Sequence, residues 1–340
     1  MASKEKLYKL VETILVPHSG YMEARSQIQQ LYDVSGIVDD PVGLPLLGES
    51  RNGKSRVIKE LVKCYPSSRN AEGLIVPILS VKTPPKPTLK GLVEALLSKM
   101  GDPNPHAGTE NDMTDRLKKL TSTSGTRVVV LDEFQHFVEK SSMNVQEYLV
   151  NWLKNFLEES MLPVIVVGLE TATAVLDQDQ QLRGRFLAPV RMSRFDWNEK
   201  EQRSEFVAVL DSFETALREY FDLPELANED MAFRLYVATG GLIGYLTALL
   251  KKWVWNAVST DSRTLTLADL SKAYKQSIGK HQDAVSSAGN PFISSFPIAP
   301  TEANLAAAKE VGKPRMEKTQ RPRKSRAKKR TSASAALRAA

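Results

Sequence analysis

Along the first two hundred residues, short unbroken apolar runs take turns with stripes of apolar positions spaced three and four apart. The runs at 44–47, 128–131 and 163–167 are rich in Leu, Val and Ile, the pattern of strands buried on both faces. A longer stretch, 74–81, reads as one strand, and 188–192 as a short last one. Thr83, Pro84, Pro85, Lys86 and Pro87 form a stiff connection, since proline cannot extend a ladder. Val57, Ile58, Leu61 and Val62 give a helix over 54–65 one apolar face. The stretches 89–100, 112–120 and 145–158 read as further helices, and 4–33 is helical with a break near Pro17, His18, Ser19 and Gly20. Such alternation predicts an α/β fold, a mostly parallel sheet covered by helices on both faces.

From Trp197 onward the period changes. Residues 199–220, 230–239, 242–258 and 267–280 all carry helical patterns with no strand between them, which predicts a small helical second domain over 197–282. The expected division is therefore an N-terminal helical segment (1–40), an α/β core (41–196), the helical domain, a connecting segment (283–308) and a tail (309–340).

Composition adds the tail's character. The net charge is +6, yet residues 309–340 hold twelve Lys/Arg against two Asp/Glu, a local +10 that leaves −4 for the rest. That tail has neither apolar periodicity nor aromatics, so it should be disordered when free and drawn to polyanions such as nucleic acid. The apolar fraction of 42% and charged fraction of 25% are those of a globular protein. Cys64 stands alone, so no internal disulfide or all-cysteine metal site exists, as suits a reducing bacterial cytoplasm. No continuous apolar stretch in the first twenty residues resembles a secretory signal, and none elsewhere reaches membrane-span length.

The chemistry lies where strands end. Gly48, Glu49, Ser50, Arg51, Asn52, Gly53, Lys54 and Ser55 spell GxxxxGK[ST] between a strand and a helix, a phosphate-binding loop in its required context. With Arg56 these residues form the predicted nucleotide set. Glycines let backbone N–H groups approach phosphate, Lys54 reaches the outer phosphates, and Ser55 ligates Mg²⁺. The run Val128, Val129, Val130, Leu131 ends in Asp132, expected to serve Mg²⁺, and Glu133, expected to orient or deprotonate water. Gln135 and His136 are candidates for relaying between nucleotide and partner. Glu170 and Thr171, after the strand at 163–167, are candidates for contact with the γ-phosphate or its water. Arg183 and Arg185 are candidates for an arginine finger reaching a neighbouring subunit, with Arg185 slightly favoured. His18, His106, His136 and His281 lie far apart without ligand spacing, so Mg²⁺ arriving with ATP is the one metal expected.

The stretches VVVLDEFQHF (128–137), LPVIVVG (162–168) and QLRGRF (181–186), with the loop, resemble the TnsC/TniB group of AAA+ ATPases. These regulate transposition in Tn7-like transposons, including CRISPR-associated ones. The likeness extends over about residues 10–300. It implies a P-loop core with a helical lid, ATP hydrolysis to ADP and phosphate that is weak until stimulated, and homo-oligomers as rings or filaments on double-stranded DNA. It also implies a bridge between a transposase and a target-selection protein, in some systems an RNA-guided complex. Asn290, Pro291 and Phe292 would then lie in a segment engaging the transposase. One departure stands out: 240–245 has no lid arginine, so sensing from that side is absent, weak, or supplied by Lys251 or Lys252. Lys82, Lys86, Lys90, Arg116, Lys118 and Lys119 are the ordered candidates for phosphate contacts with DNA. Other readings of the same site are a helicase loader, a repair or plasmid-maintenance ATPase, or a structural DNA-binding protein with a vestigial site.

Overall fold

The structure, a computed structural model, describes residues 3–71, 73–278 and 289–313. Two capped helices open it, α1 (Lys4–Thr13) and α2 (Ser19–Val34). The α/β core begins with β1 (Gly43–Gly48), α3 (Lys54–Cys64), β2 (Ser68–Asn70), β3 (Gly73–Ile75) and β4 (Ile78–Lys82). It continues through α4 (Leu89–Lys99), α5 (Glu110–Thr123), β5 (Val128–Asp132), α6 (His136–Lys140), α7 (Met143–Ser160) and β6 (Val164–Gly168). After a 3₁₀ turn at Glu170–Ala172 come the short α8 (Thr173–Leu176) and α9 (Gln180–Gly184), then β7 (Val190–Met192). The helical domain is α10 (Lys200–Arg218), α11 (Glu229–Thr239), α12 (Ile243–Ser259) and α13 (Leu267–Ser277), with α14 (Glu302–Glu310) packed back on α11.

One sheet of five parallel strands, ordered β4-β5-β6-β1-β7, carries the core. Strand alternation explains why its runs are apolar throughout. Val128 and Val130 face the layer of α2 and α3, where Ala24, Ile28, Val57 and Leu61 pack. Val129 and Leu131 face the opposite layer, with Leu92 and Leu96 of α4, Leu117 of α5 and Phe156 of α7. Both faces being covered, every position of β5 and β6 is buried.

One expectation needs correction. The stretch 74–81 is not one strand. Pro77 has no N–H to donate, so the ladder breaks there, β3 turns back on β2 as an antiparallel hairpin, and only β4 joins the sheet. The Pro77 carbonyl instead accepts from Arg127 N–H at 2.9 Å. The N-terminal helical stretch breaks between α1 and α2, which pack on different parts of the protein. Leu7, Leu10 and Val11 of α1 enter the core of the helical domain with Phe206, Tyr236 and Trp253, while α2 lies on the sheet. Lys251–Glu12 (2.6 Å), Lys4–Asp261 (2.8 Å) and Trp255 Nε1–Tyr8 O (2.7 Å) fasten α1 there.

Phe292 and Phe296 are buried in that same core, and Arg234 donates to the carbonyls of Pro291 and Ile293. Phe292 therefore packs inward against its own chain. Order continues through Glu310 of α14, past the expected boundary at 308. The tail from 314, His281 and the end of the helix expected to reach 280 lie outside the described residues. Among the described residues no single helix is long and apolar enough to cross a membrane; α11 and α12 pass together only as a pair bent by 108°.

Candidate nucleotide site

The loop from 48 to 53 is shaped by close approach. A Cβ on Gly48 would stand 2.2 Å from the Met192 carbonyl oxygen, so the end of β1 tolerates no side chain beside β7. Gly53, at φ +90°, turns the chain into α3 through the left-handed region that favours glycine. Asn52 Nδ2 donates to Met192 O at 2.8 Å, anchoring the loop to β7 from within. The first turn of α3 lines the cavity at Lys54, Ser55 and Arg56, and a helix N-terminus favours an anion. Lys54 is buried, and its ammonium donates to Gly48 O and Glu49 O, each at 2.7 Å. Burial holds its pKa below the ordinary 10.5, with Asp132 and Glu133 pulling the other way.

Across the cavity, β5 delivers the carboxylates. Asp132 is 6% exposed and accepts from Ser55 Oγ at 3.0 Å. Glu133 sits at φ +57°, its N–H donating to Asp132 Oδ1 at 2.9 Å. Gln135 Nε2 donates to Glu133 Oε2 at 2.5 Å. The space between loop and carboxylates is about 340 Å³, lined by 50–56, Asp132, Glu133, Gln135, Gly168, Leu169 and Gly244. Ser55 and Asp132 offer the paired hard oxygens that suit Mg²⁺, which keeps waters and shares phosphate oxygens rather than sitting in a protein cage. No group of three or more His, Cys, Asp or Glu able to hold a metal occurs among the described residues.

A second cleft, about 230 Å³ and largely apolar, adjoins the first. Val11, Ile14, Val16, His18 and Tyr21 line one side, Gly53 and Arg56 the floor, and Phe213, Ile243, Gly244 and Thr247 the other side. Sequence reading missed it, because its walls come from four separated segments; the helix break at Pro17 and His18 is the one local sign. His18 Nδ1 accepts from Tyr21 N–H at 3.3 Å as the cap of α2, and burial lowers its pKa below 6.5.

The helical domain touches the loop directly. Gly244 N–H donates to Arg51 O at 2.8 Å, and the Arg51 guanidinium lies 4.7 Å from the Tyr245 ring centre. Arg194, another residue missed in the sequence, bonds both Glu49 oxygens, one at 2.8 Å. Its remaining donors meet the carbonyls of Gly240, Ala308, Lys309 and Val311. These bonds hold the Glu49 carboxyl below its ordinary pKa. Lys251, expected to substitute for a lid arginine, points instead at Glu12 of α1.

Other expected residues are scattered more widely. Thr171 and Glu170 are exposed on the 3₁₀ turn, outside the cavity lining, and Glu170 pairs with Arg191 at 3.5 Å. Arg183 is 73% exposed with one 3.6 Å contact to Asp177, whereas Arg185 is held by Glu158 (3.3 Å) and Asp40 (3.6 Å). Of the proposed DNA contacts, Arg116 is committed to Asp102 and to the carbonyls of Asn104 and Ala107. Lys118 is committed to Asp115 and Glu159, and those bonds raise its pKa. Lys82, Lys86 and Lys119 are exposed, as is Lys90, which donates to Gly108 O at 3.2 Å.

Residues 6–197 match the family model described as bacterial TniB protein. Sequence comparison with curated proteins finds no match. Among solved structures, the chain is similar to the ORC2 protein of Aeropyrum pernix in its ADPNP–ADP complexes, with TM-score 0.59 and 14% identity over 82% of this chain and 72% of that one. It is similar to Cdc6p of Pyrobaculum aerophilum, with TM-score 0.56 and 14% identity over 78% and 69%. It also resembles the A. pernix ORC1 protein in complex with DNA, with TM-score 0.56 and 14% identity over 81% and 71%. At such identity the likeness establishes the fold alone, a parallel α/β core followed by a helical domain.

Proposed function

The chain belongs to the bacterial TniB family, transposition ATPases of Tn7-like elements, and from that premise we propose an ATP-dependent, DNA-binding regulator of transposition. On this reading, subunits with bound ATP gather along duplex DNA and bring a target-selection protein and the transposase together. Hydrolysis then disperses them. The observation that carries the proposal is the Ser55–Asp132 contact across the cavity from a loop whose carbonyls hold the Lys54 ammonium.

Phosphate oxygens would take over the Lys54 donors now given to two carbonyls, and the first turn of α3 adds its own. Ser55 and Asp132 are the residues to hold Mg²⁺, which supplies charge neutralisation at the phosphate oxygens when bound. Glu133 accepts a proton from the attacking water as its oxygen bonds the γ-phosphorus and the bridging oxygen leaves with ADP. The adjoining apolar cleft suits the base. Because its walls come from 11–21, α3 and α12, one nucleotide would join the N-terminal segment, the core and the lid. Subunits that contact each other through both core and lid would then assemble only when it is present. For the finger reaching a neighbour's phosphates, exposure favours Arg183 over Arg185.

The test is assembly of the purified protein with a non-hydrolysable ATP analogue, Mg²⁺ and duplex DNA, followed by electron microscopy and light scattering. Rings or filaments are expected for wild type and none for Lys54→Ala. Equal assembly of the two would overturn the nucleotide switch.

A further inference from the structure

Gln135 is 6% exposed and directed at the catalytic cavity, which it lines beside Glu133. Leu169 N–H, just past β6, donates to its Oε1 at 3.3 Å. An N–H is a donor only, so the amide oxygen must face Leu169 and the NH₂ must face Glu133, whose Oε2 accepts it at 2.5 Å. The carboxamide thus spans from the carboxylate at the end of β5 to the backbone at the end of β6. Its berth is built for it: a Cβ on Gly168 would stand 2.7 Å from Gln135 Oε1. Phe134 N–H, bonded to Val167 O at 3.0 Å, holds the same two strand ends together from the backbone side. Glu133, in the left-handed region at φ +57°, has no helical or strand ladder of its own to fix its side chain.

We propose that Gln135 is a positioning residue for ATP hydrolysis. It engages one oxygen of Glu133 so that the other faces the water, and it ties that orientation to the turn at 168–172. Displacement of Leu169, by phosphate or by a neighbouring subunit pressing on the exposed 3₁₀ turn, is passed to Glu133 through one side chain. This rests on the hydrolytic reading above and adds a residue and a route to it.

Two variants separate positioning from mere satisfaction of a buried N–H. Gln135→Glu keeps an acceptor for Leu169 but turns a carboxylate toward Glu133; Gln135→Met keeps the volume and loses both bonds. Phosphate release with ATP, Mg²⁺ and duplex DNA is measured beside the affinity for a fluorescent ATP analogue and the melting temperature. The expected result is a kcat lowered roughly ten- to hundredfold in both, below the 10²–10⁴ that a general base contributes, with nucleotide affinity within about threefold. Should Gln135→Met unfold, Gln135→Glu decides. Turnover of folded Gln135→Glu within threefold of wild type overturns the inference while leaving the ATPase reading intact. A loss of affinity as large as the loss of kcat also overturns it, since that marks a collapsed site. A wild-type protein that hydrolyses no ATP removes the functional reading, and this inference with it.

Discussion

The Lys54 ammonium, buried, is held by the carbonyls of its own loop, and burial depresses its pKa. Removing it by Lys54→Ala is expected to weaken binding of a fluorescent ATP analogue by about a hundredfold or more, in line with the ~1.5–3 kcal/mol of each charged hydrogen bond to phosphate. Glu133→Gln keeps size and removes the base. Phosphate release is expected to fall by roughly 10²–10⁴ with affinity nearly unchanged, and assemblies should outlast removal of free ATP. Normal turnover would reassign the base. His18 supplies a pH signature. Its folded pKa lies below the ordinary 6.5, so the unfolded chain takes up the proton first. Stability is therefore full above pH 6.5 and declines as pH falls through the window between 6.5 and the lower folded value. Replacing His18 with Asn, which still caps α2, is expected to flatten that slope in thermal melts; an unchanged slope assigns it to other groups.

At the scale of elements, the start of α12 and the end of α14 both meet the phosphate loop. Gly244 permits the first contact: a Cβ there would stand 2.6 Å from Arg51 O, against backbone that cannot step aside. Gly244→Ala is expected to push α12 off the loop and weaken nucleotide binding about tenfold or more, with the lid core still folded by circular dichroism. Arg194 makes the second contact, joining Glu49 to the C-terminal carbonyls of α14. Arg194→Ala should raise amide exchange over 302–313 without disturbing the distant α4 and α5. Uniform exchange in both places would show a general loss of stability rather than a released helix. Arg194, which follows β7, links the loop to the lid and α14 through Glu49 and the carbonyl of Gly240, whereas Lys251 is taken up by Glu12.

Across the whole molecule, charge is divided between a core that is acidic in sum and the tail. With Arg116 and Lys118 committed to internal carboxylates, Lys82, Lys86, Lys90 and Lys119 remain as the exposed ordered candidates for DNA. Charge reversal of Lys86 and Lys119 together is expected to lower the slope of log affinity against log salt by about one to two per subunit, and deletion of 314–340 to lower it further. An unchanged slope in both would move DNA to another face.

Much of this was legible along the chain because it is local. The phosphate loop, the strand ending in Asp132 and Glu133, and the lid helices each sit in one contiguous segment whose period or spacing states its structure. The hairpin was missed because Pro77 acts on pairing, which depends on the neighbouring strand. Arg194 with Glu49, Gln135 with Leu169, the cleft walled by 11–21 and 243–247, and the capture of α1 by the lid were decided only in three dimensions. A hydrogen bond or an apolar wall between distant segments leaves no period in either. It exists only once the sheet has set which strand ends lie side by side and which helices close over them.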